Sequence, residues 1–290
     1  MIRFFAAWVV LAVASALAQA SPLGPDGEPG RMLPGKFIWF DLATDDPAGA
    51  RAFYGAVFGW RFREIDRKPT PYTLIEHGAG KVGGMFRQAR PQGAPVGSRW
   101  LSLISVRDAE QAAQYVRQQG GQVVVAPVAV PGRGTHALFR DPQGAYFGVL
   151  ASGGDPPDEP VADGDVFWVD LFARDPEQAA AFYAGLAGYD VSAGEALAGR
   201  KRWTLASGEI ARAGVWAVTT GTYAPGWLPY ILVDDIAAVL SRTRAARGRV
   251  LVEPRVDLLD GNLAVIADPN GGVIGVVNWA TRAATEGAPR

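Results

Sequence analysis

Two segments of this 290-residue chain place an acid two positions after a tryptophan: Phe37-Ile38-Trp39-Phe40-Asp41-Leu42 and Val166-Phe167-Trp168-Val169-Asp170-Leu171. In a strand, neighbouring side chains project to opposite faces. Ile38, Phe40 and Leu42 therefore form an apolar face expected to pack on a helix, and Phe37, Trp39 and Asp41 form the other. Trp168 and Asp170 repeat the arrangement. A carboxylate beside a large indole on a partly apolar face is costly to leave unpaired. It either meets an arginine or another donor of the protein, or it awaits a ligand, for which it could also act as acid and base.

Other chemistry has little material. The chain has no cysteine, hence no thiolate nucleophile, thiolate metal site or disulfide, and its two histidines are His77 and His136. Neither stands in a spacing that binds zinc or iron by itself. His77 ends a strand before a glycine turn and reads as a solvated loop residue. His136 alternates with Leu138 on a strand leading to an Asp-Pro turn, with Arg133 nearby; it is either an ordinary surface or core residue or a ligand contact. With Glu76, the two histidines could in principle form a new triad. No Ser-His-Asp or Cys-His arrangement stands out. Gly132-Arg133-Gly134 is a loop between strands rather than a phosphate cradle, which needs a strand-turn-helix setting.

The elements that must position these residues occur twice. Asp46-Pro47, Phe53-Tyr54 and Gly59-Trp60 return as Asp175-Pro176, Phe182-Tyr183 and Gly188-Tyr189, at the offset of 129 residues that relates Trp39 to Trp168. Trp100, Asp108, Gly121, Pro127, Asp141-Pro142 and Gly144 return at an offset of 127 as Trp227, Asp235, Gly248, Pro254, Asp268-Pro269 and Gly271. A period this long is domain duplication, since solenoid repeats run about 20 to 50 residues. Within each copy, Asp46 and Asp175 read as helix N-caps with proline at the first helical position. Ala50, Phe53, Tyr54, Val57 and Phe58 make one buried stripe, and Gly59 and Gly188 end the helices. Short strands with glycine turns follow, then a strand from Trp100, a helix capped by Asp108, and three closing strands. Each half reads strand, helix, three strands, and the same again.

Composition sets the outer limits. With 49% hydrophobic and 20% charged residues and a net charge of −1, the chain is an ordinary globular protein lacking the basic face of nucleic-acid binders. Arg3, the apolar run from Phe4 to Leu17 and Ala18-Gln19-Ala20 read as a signal peptide cleaved before Ser21, which implies export, to a bacterial periplasm. The run is shorter than the roughly 20 residues of a membrane span, so no stable membrane insertion is expected after cleavage. The expected layout is a signal peptide at 1–20, a flexible Pro- and Gly-rich leader at 21–35, domains at 36–151 and 166–280 joined by a linker at 152–165, and a flexible tail at 281–290.

The order βαβββ-βαβββ in each half, the Asp…Phe-Tyr…Phe-Gly-Trp signature after the first strand and the Asp-Pro-x-Gly turn before the last resemble the vicinal oxygen chelate superfamily. That superfamily includes glyoxalase I, bleomycin-resistance proteins and extradiol dioxygenases. The resemblance implies an α+β fold: two tandem glyoxalase-like domains, each of paired βαβββ modules forming a curled sheet around a cup, with helices outside, the two pairing within the chain as a pseudo-dimer. It also implies where catalytic relatives would hold a divalent metal. Those places carry Trp39, Leu101 and Gly148 in the first half and Trp168, Leu228 and Gly275 in the second, and the remaining one falls around Gly83 to Met85. Indole offers a metal no lone pair, and glycine has no side chain. We therefore expect no metal and no other cofactor.

On this reading Trp39, Asp41, Trp168 and Asp170 face the cups. Aromatic residues, among them Tyr72, Trp203, Trp216 and Trp279, suit an apolar binding pocket. Tyr146 and Tyr230 fall on cup-facing positions, whereas Trp60, Trp100 and Trp227 are assigned to cores or the seam between domains. The expected ligand-binding set is Trp39, Asp41, Tyr146, Trp168, Asp170, Tyr230 and His136, and the expected partner is a small organic molecule held without metal. Two alternatives stay open. One is an enzyme, either a lyase or dioxygenase with an atypical metal or a metal-free isomerase using Asp41, Asp170 or His136. The other is a periplasmic interaction module.

Overall fold

A computed structural model describes residues 24–65, 71–88, 97–197, 200–218 and 224–279; the expected signal peptide and C-terminal tail lie outside the described residues. The fold is α+β, with two eight-stranded sheets. The first contains β1 (Phe37–Thr44), β2 (Arg61–Ile65), β3 (Tyr72–His77), β4 (Gly80–Arg87), β5 (Arg99–Ser105), β6 (Gln122–Val130), β7 (Gly134–Arg140) and β8 (Tyr146–Ala151), in the order β2-β3-β4-β1-β5-β8-β7-β6. The second contains β9 (Val166–Ala173), β10 (Asp190–Leu197), β11 (Arg200–Ser207), β12 (Ile210–Ala217), β13 (Gly226–Leu232), β14 (Arg249–Val252), β15 (Leu263–Ala267) and β16 (Val273–Val277), and repeats that order. Helices α1 (Pro47–Phe58), α2 (Ala109–Gln118), α3 (Pro176–Ala187) and α4 (Ile236–Ala245) each follow the first strand of a module.

Local signals set these elements. Asp46 and Asp175 accept hydrogen bonds from Gly49 N and Gln178 N at the starts of α1 and α3. Gly59 and Gly188 end both helices with φ of 73° and 75°, a left-handed conformation that glycine adopts without strain. In each sheet the first strands of the two modules pair antiparallel at the centre, β1 with β5 and β9 with β13. In the first sheet β3 and β7 are near opposite ends of the order, yet Arg133, in the turn before β7, donates to the Tyr72 hydroxyl at 3.2 Å. That contact requires the sheet to curl.

The helices lie outside each curled sheet but inside the molecule, in one core shared by both domains. The duplicated motifs meet there. Tyr54 of the first Phe-Tyr pair donates to Asp268 at 3.0 Å, and Tyr183 of the second donates to Asp141 at 3.1 Å. Each of these aspartates also folds its own Asp-Pro turn, accepting from Gln143 N and Ala145 N or from Asn270 N and Gly272 N. Trp100 and Trp227 donate to the same two tyrosines at 2.9 Å, and Trp60 donates to Gly164 O at 2.8 Å. Burial pushes the Tyr54 and Tyr183 hydroxyls well up, so they remain neutral donors. The segment from Gly24 to Lys36 bonds to the linker: Leu33 N and Ser105 Oγ both reach the buried Asp155 carboxylate, and Lys36 pairs with Asp158 at 2.9 Å.

One feature departs from strict alternation. The register of β1 against β5 shifts between Phe37 and Trp39, and such a bulge re-aims the side chains before it. Phe37 consequently turns to the shared core, 4.9 Å from the Trp227 ring, and Ile38 joins Trp39 on the cup side. The same shift near Val166 sends Val166 to the shared core and Phe167 to the second cup.

Candidate functional site: two unequal cups

The first cup is filled. Asp41 and Trp39, brought together by β1, meet Tyr72 from β3 and Arg133 from the turn between β6 and β7. Arg133 Nη2 lies 2.8 Å from Asp41 Oδ2, its side chain is 0% exposed, and its guanidinium carbon lies 5.1 Å from the Trp39 ring. Tyr72 donates to Asp41 Oδ1, and Trp39 Nε1 donates to the same oxygen at 2.9 Å. Burial and the Asp41 charge push the Tyr72 hydroxyl far up, keeping it a donor. Trp39 is 1% exposed among Leu74, Leu101, Leu103, Val125, Leu138 and Leu150. His136 is also buried; burial and the Arg133 charge push its imidazole down to about 3, so it is neutral.

The second cup is built from the same residue types at different places. Trp168 Nε1 donates to Asp170 Oδ1 at 2.7 Å. By register, Arg202, opposite Trp216, occupies the place that Tyr72 holds opposite Phe86, and Tyr230, opposite Trp168, occupies that of Leu103. At the 127-residue offset, Asp260 stands where Arg133 would be. No arginine enters from that turn, so the charge comes from β11. Its guanidinium carbon lies 5.3 Å from the Trp168 ring and 5.5 Å from the Trp216 ring.

This cup is open. Trp168, Arg202, Phe167, Phe172, Leu259, Leu263, Val265 and Val273 are half-buried around a small core of Leu228, Tyr230 and Val277. Asp170 itself is buried, and burial raises its pKa against the lowering effect of Trp168, Trp216 and Arg202. Burial and the Asp170 charge likewise raise the Tyr230 hydroxyl. The buried carboxyl and phenol thus lie beneath a half-exposed aromatic rim.

The sequence profile of the Glyoxalase/Bleomycin resistance protein/Dioxygenase superfamily matches residues 36–149. The anthracycline biosynthesis protein DauV of Streptomyces sp. strain C5 is 31% identical over 281 residues, covering 89% of this chain and 99% of that protein. The chain belongs to this superfamily. CFP32 of Mycobacterium tuberculosis, named as a candidate glyoxylase, is 29% identical over 250 residues, covering 83% of this chain and 94% of that protein. Among solved structures, the Mn(II)-bound glyoxalase of Novosphingobium aromaticivorans shares the fold, with a TM-score of 0.57 and 13% identity over 84% of this chain and 82% of that one.

The metal that the superfamily implies does not fit these cups. Among the described residues no three His, Cys, Asp or Glu side chains cluster to hold an ion. The places expected to ligate are also occupied. A Cβ on Gly275 would stand 2.1 Å from the Tyr230 ring, and one on Gly148 would stand 2.6 Å from Leu103 Cγ. Side chains fill the space a glutamate would need.

The expected ligand-contact residues thus divide. Trp39, Asp41 and His136 lie together in the filled cup; Trp168, Asp170 and Tyr230 lie together in the open one. Tyr146 sits apart at the rim of the first cup, half-buried, with Arg99 4.4 Å and Arg140 5.1 Å from its ring centre. His77 is no free loop residue, since its Nδ1 lies 3.0 Å from Asp165 Oδ1 in the linker. Sequence reasoning singled out neither Arg202 nor the pairing of Arg133 with Asp41. The register of β11 against β12 was the missing information, because Arg200, Lys201 and Arg202 are indistinguishable until one is known to face inward.

Proposed function

We propose that the protein binds a small organic molecule in the cup of its second domain, without the metal of its relatives, and that the first cup serves as structural core. The observation that carries this reading is the half-exposed aromatic rim around Asp170 and Tyr230, set against a first cup closed by its own ion pair. The relatives named for anthracycline biosynthesis support an organic, ring-bearing guest. Isothermal titration with small aromatic compounds tests the proposal: saturable binding should survive EDTA and dialysis, Trp168→Ala should abolish it, and Tyr146→Phe should leave it unchanged. Binding that requires added Mn, Fe, Ni or Zn would refute it.

Residues 1–20 support export to the periplasm, with the mature chain beginning at Ser21. N-terminal sequencing of protein from the periplasmic fraction checks this, and an intact Met1 on protein confined to the cytoplasm would refute it. A second reading draws on Asp170: a carboxyl whose pKa is raised, beside a phenol, suits metal-free acid–base chemistry such as isomerisation. Solvent deuterium entering a bound guest in wild type, and not in Asp170→Asn, would establish it.

A further inference from the structure

The turn that closes the first cup has a counterpart at the second, built differently. At the 127-residue offset, Gly132-Arg133-Gly134 becomes Leu259-Asp260-Gly261. The sheet register agrees, since His136 faces Leu150 across β7 and β8 as Leu263 faces Val277 across β15 and β16. In the first domain the left-handed backbone of this turn falls on glycine, with Gly132 at φ 74° and Gly134 at φ 113°. In the second, Gly261 keeps it at φ 84°, but Leu259 takes φ 50° and Asp260 φ 53°. Aspartate visits this region with some ease; leucine does so at a cost, because its Cβ crowds the backbone. Strain of this kind persists only where the surroundings hold it, and it gathers at ligand clamps and switch regions.

The second cup is what holds Leu259. Its side chain packs, half-buried, on the cluster of Leu228, Tyr230 and Val277 that Trp168 also borders. The rest of the turn is tied mainly to itself: Leu258 N and Gly261 N bond to Arg255 O, Asn262 N bonds to Leu259 O, and Arg255 pairs with Asp257 on the surface. At its base, Asn278 N bonds to Asn262 O at 3.0 Å and anchors it to the sheet. In the first cup the same turn delivers Arg133, which the ion pair with Asp41 at 2.8 Å locks in place. The second has only an apolar contact set against backbone strain. We propose that residues 255–262 form a lid on the second cup with Leu259 as its plug: Leu259 lies on the apolar surface that a guest would cover, and it withdraws, relaxing its backbone, when the guest takes its place on Leu228, Tyr230 and Val277. Leu259 then governs entry to the cup.

The lid rests on the proposed binding role, and the experiment separates the two. Leu259→Gly removes plug and strain together, in the manner of Gly132, whereas Leu259→Ala removes the plug alone. Urea unfolding of the full chain should find Leu259→Gly the more stable of the two, by roughly 3-fold or more in the folding equilibrium constant. At an ordinary position alanine is the more stable, and that order would overturn the strained lid. Acrylamide quenching of Trp168, isolated by subtracting the signal of Trp168→Phe, should rise in both variants and stay unchanged in Val256→Ala, whose side chain is 81% exposed in the same segment. Stopped-flow mixing with 2-methoxynaphthalene should show association roughly tenfold faster or more in both Leu259 variants, since the probe no longer waits for a sparsely populated open state. If quenching does not rise, or association keeps the wild-type rate, the lid is overturned while binding itself stands. Quenching that rises while no protein binds the probe bears out the plug and counts against the binding role.

Discussion

The two cups began as copies and now differ in where their charge is balanced. In the first, Arg133 reaches in from the turn between β6 and β7 and pairs with Asp41, closing the recess over Trp39. In the second, that turn carries Asp260 and the guanidinium comes from Arg202 on β11, stacked on indoles and unpaired among the described residues. One copy is closed core, and the other keeps a half-exposed aromatic rim. Duplication permits this division, since one domain can carry the stability while its neighbour accepts a half-buried, imperfectly satisfied pocket.

The comparison breaks most decisively at the carboxylates. Asp41→Asn strands a buried arginine and should cost about 3 to 5 kcal/mol, whereas Asp170→Asn, which has no ion pair to break, should cost under about 1 kcal/mol; urea unfolding of both variants decides. Equal costs would mean that the cups are equally closed. Next come the indoles. Trp39→Ala should lose about 3 to 5 kcal/mol, as should Phe53→Ala and Phe182→Ala in the shared core, while Trp168→Ala should lose clearly less stability and forfeit ligand binding. The sequence alone treats Trp39 and Trp168 as a pair; burial separates them.

The seam should behave symmetrically where the cups do not. Tyr54→Phe and Tyr183→Phe each remove a buried hydrogen bond to an aspartate across the domains and should each cost about 1 to 3 kcal/mol. A large inequality would show that one domain stands without the other. The last test is pH dependence, in which two groups act with opposite signs. His136, held down to about 3 against an ordinary 6.5, leaves the unfolded chain binding more protons as pH falls through that window. Stability should therefore drop toward acid, and His136→Leu should reduce the drop. Asp170, held up by burial, makes the folded state bind more protons above the ordinary carboxylate range. Its contribution should fade as pH rises through its folded value, and Asp170→Asn should flatten that limb.

Much of the architecture was legible because it is written in local rules. Asp46-Pro47 and Gly59 specify the start and end of a helix wherever they occur, and two copies in step specify two domains. The metal-ligating places could be checked one at a time through the resemblance, and the structure adds that Tyr230 and Leu103 occupy the volume above Gly275 and Gly148. The bulge at Ile38 was not legible, because alternation assumes an unbroken ladder and one inserted residue reverses every face before it. Nor was the purpose of the Phe-Tyr and Asp-Pro motifs, 214 residues apart in the Tyr54–Asp268 bond.

The amino-acid sequence by itself determined the duplication and the order of strands and helices, since each depends on residue identity and short-range spacing. Only the tertiary structure decided which cup stays open. That outcome turns on whether an arginine arrives opposite the buried carboxylate, and the distance between Arg133 and Asp41, or between Arg202 and Asp170, is set by how a curled sheet brings remote strands together.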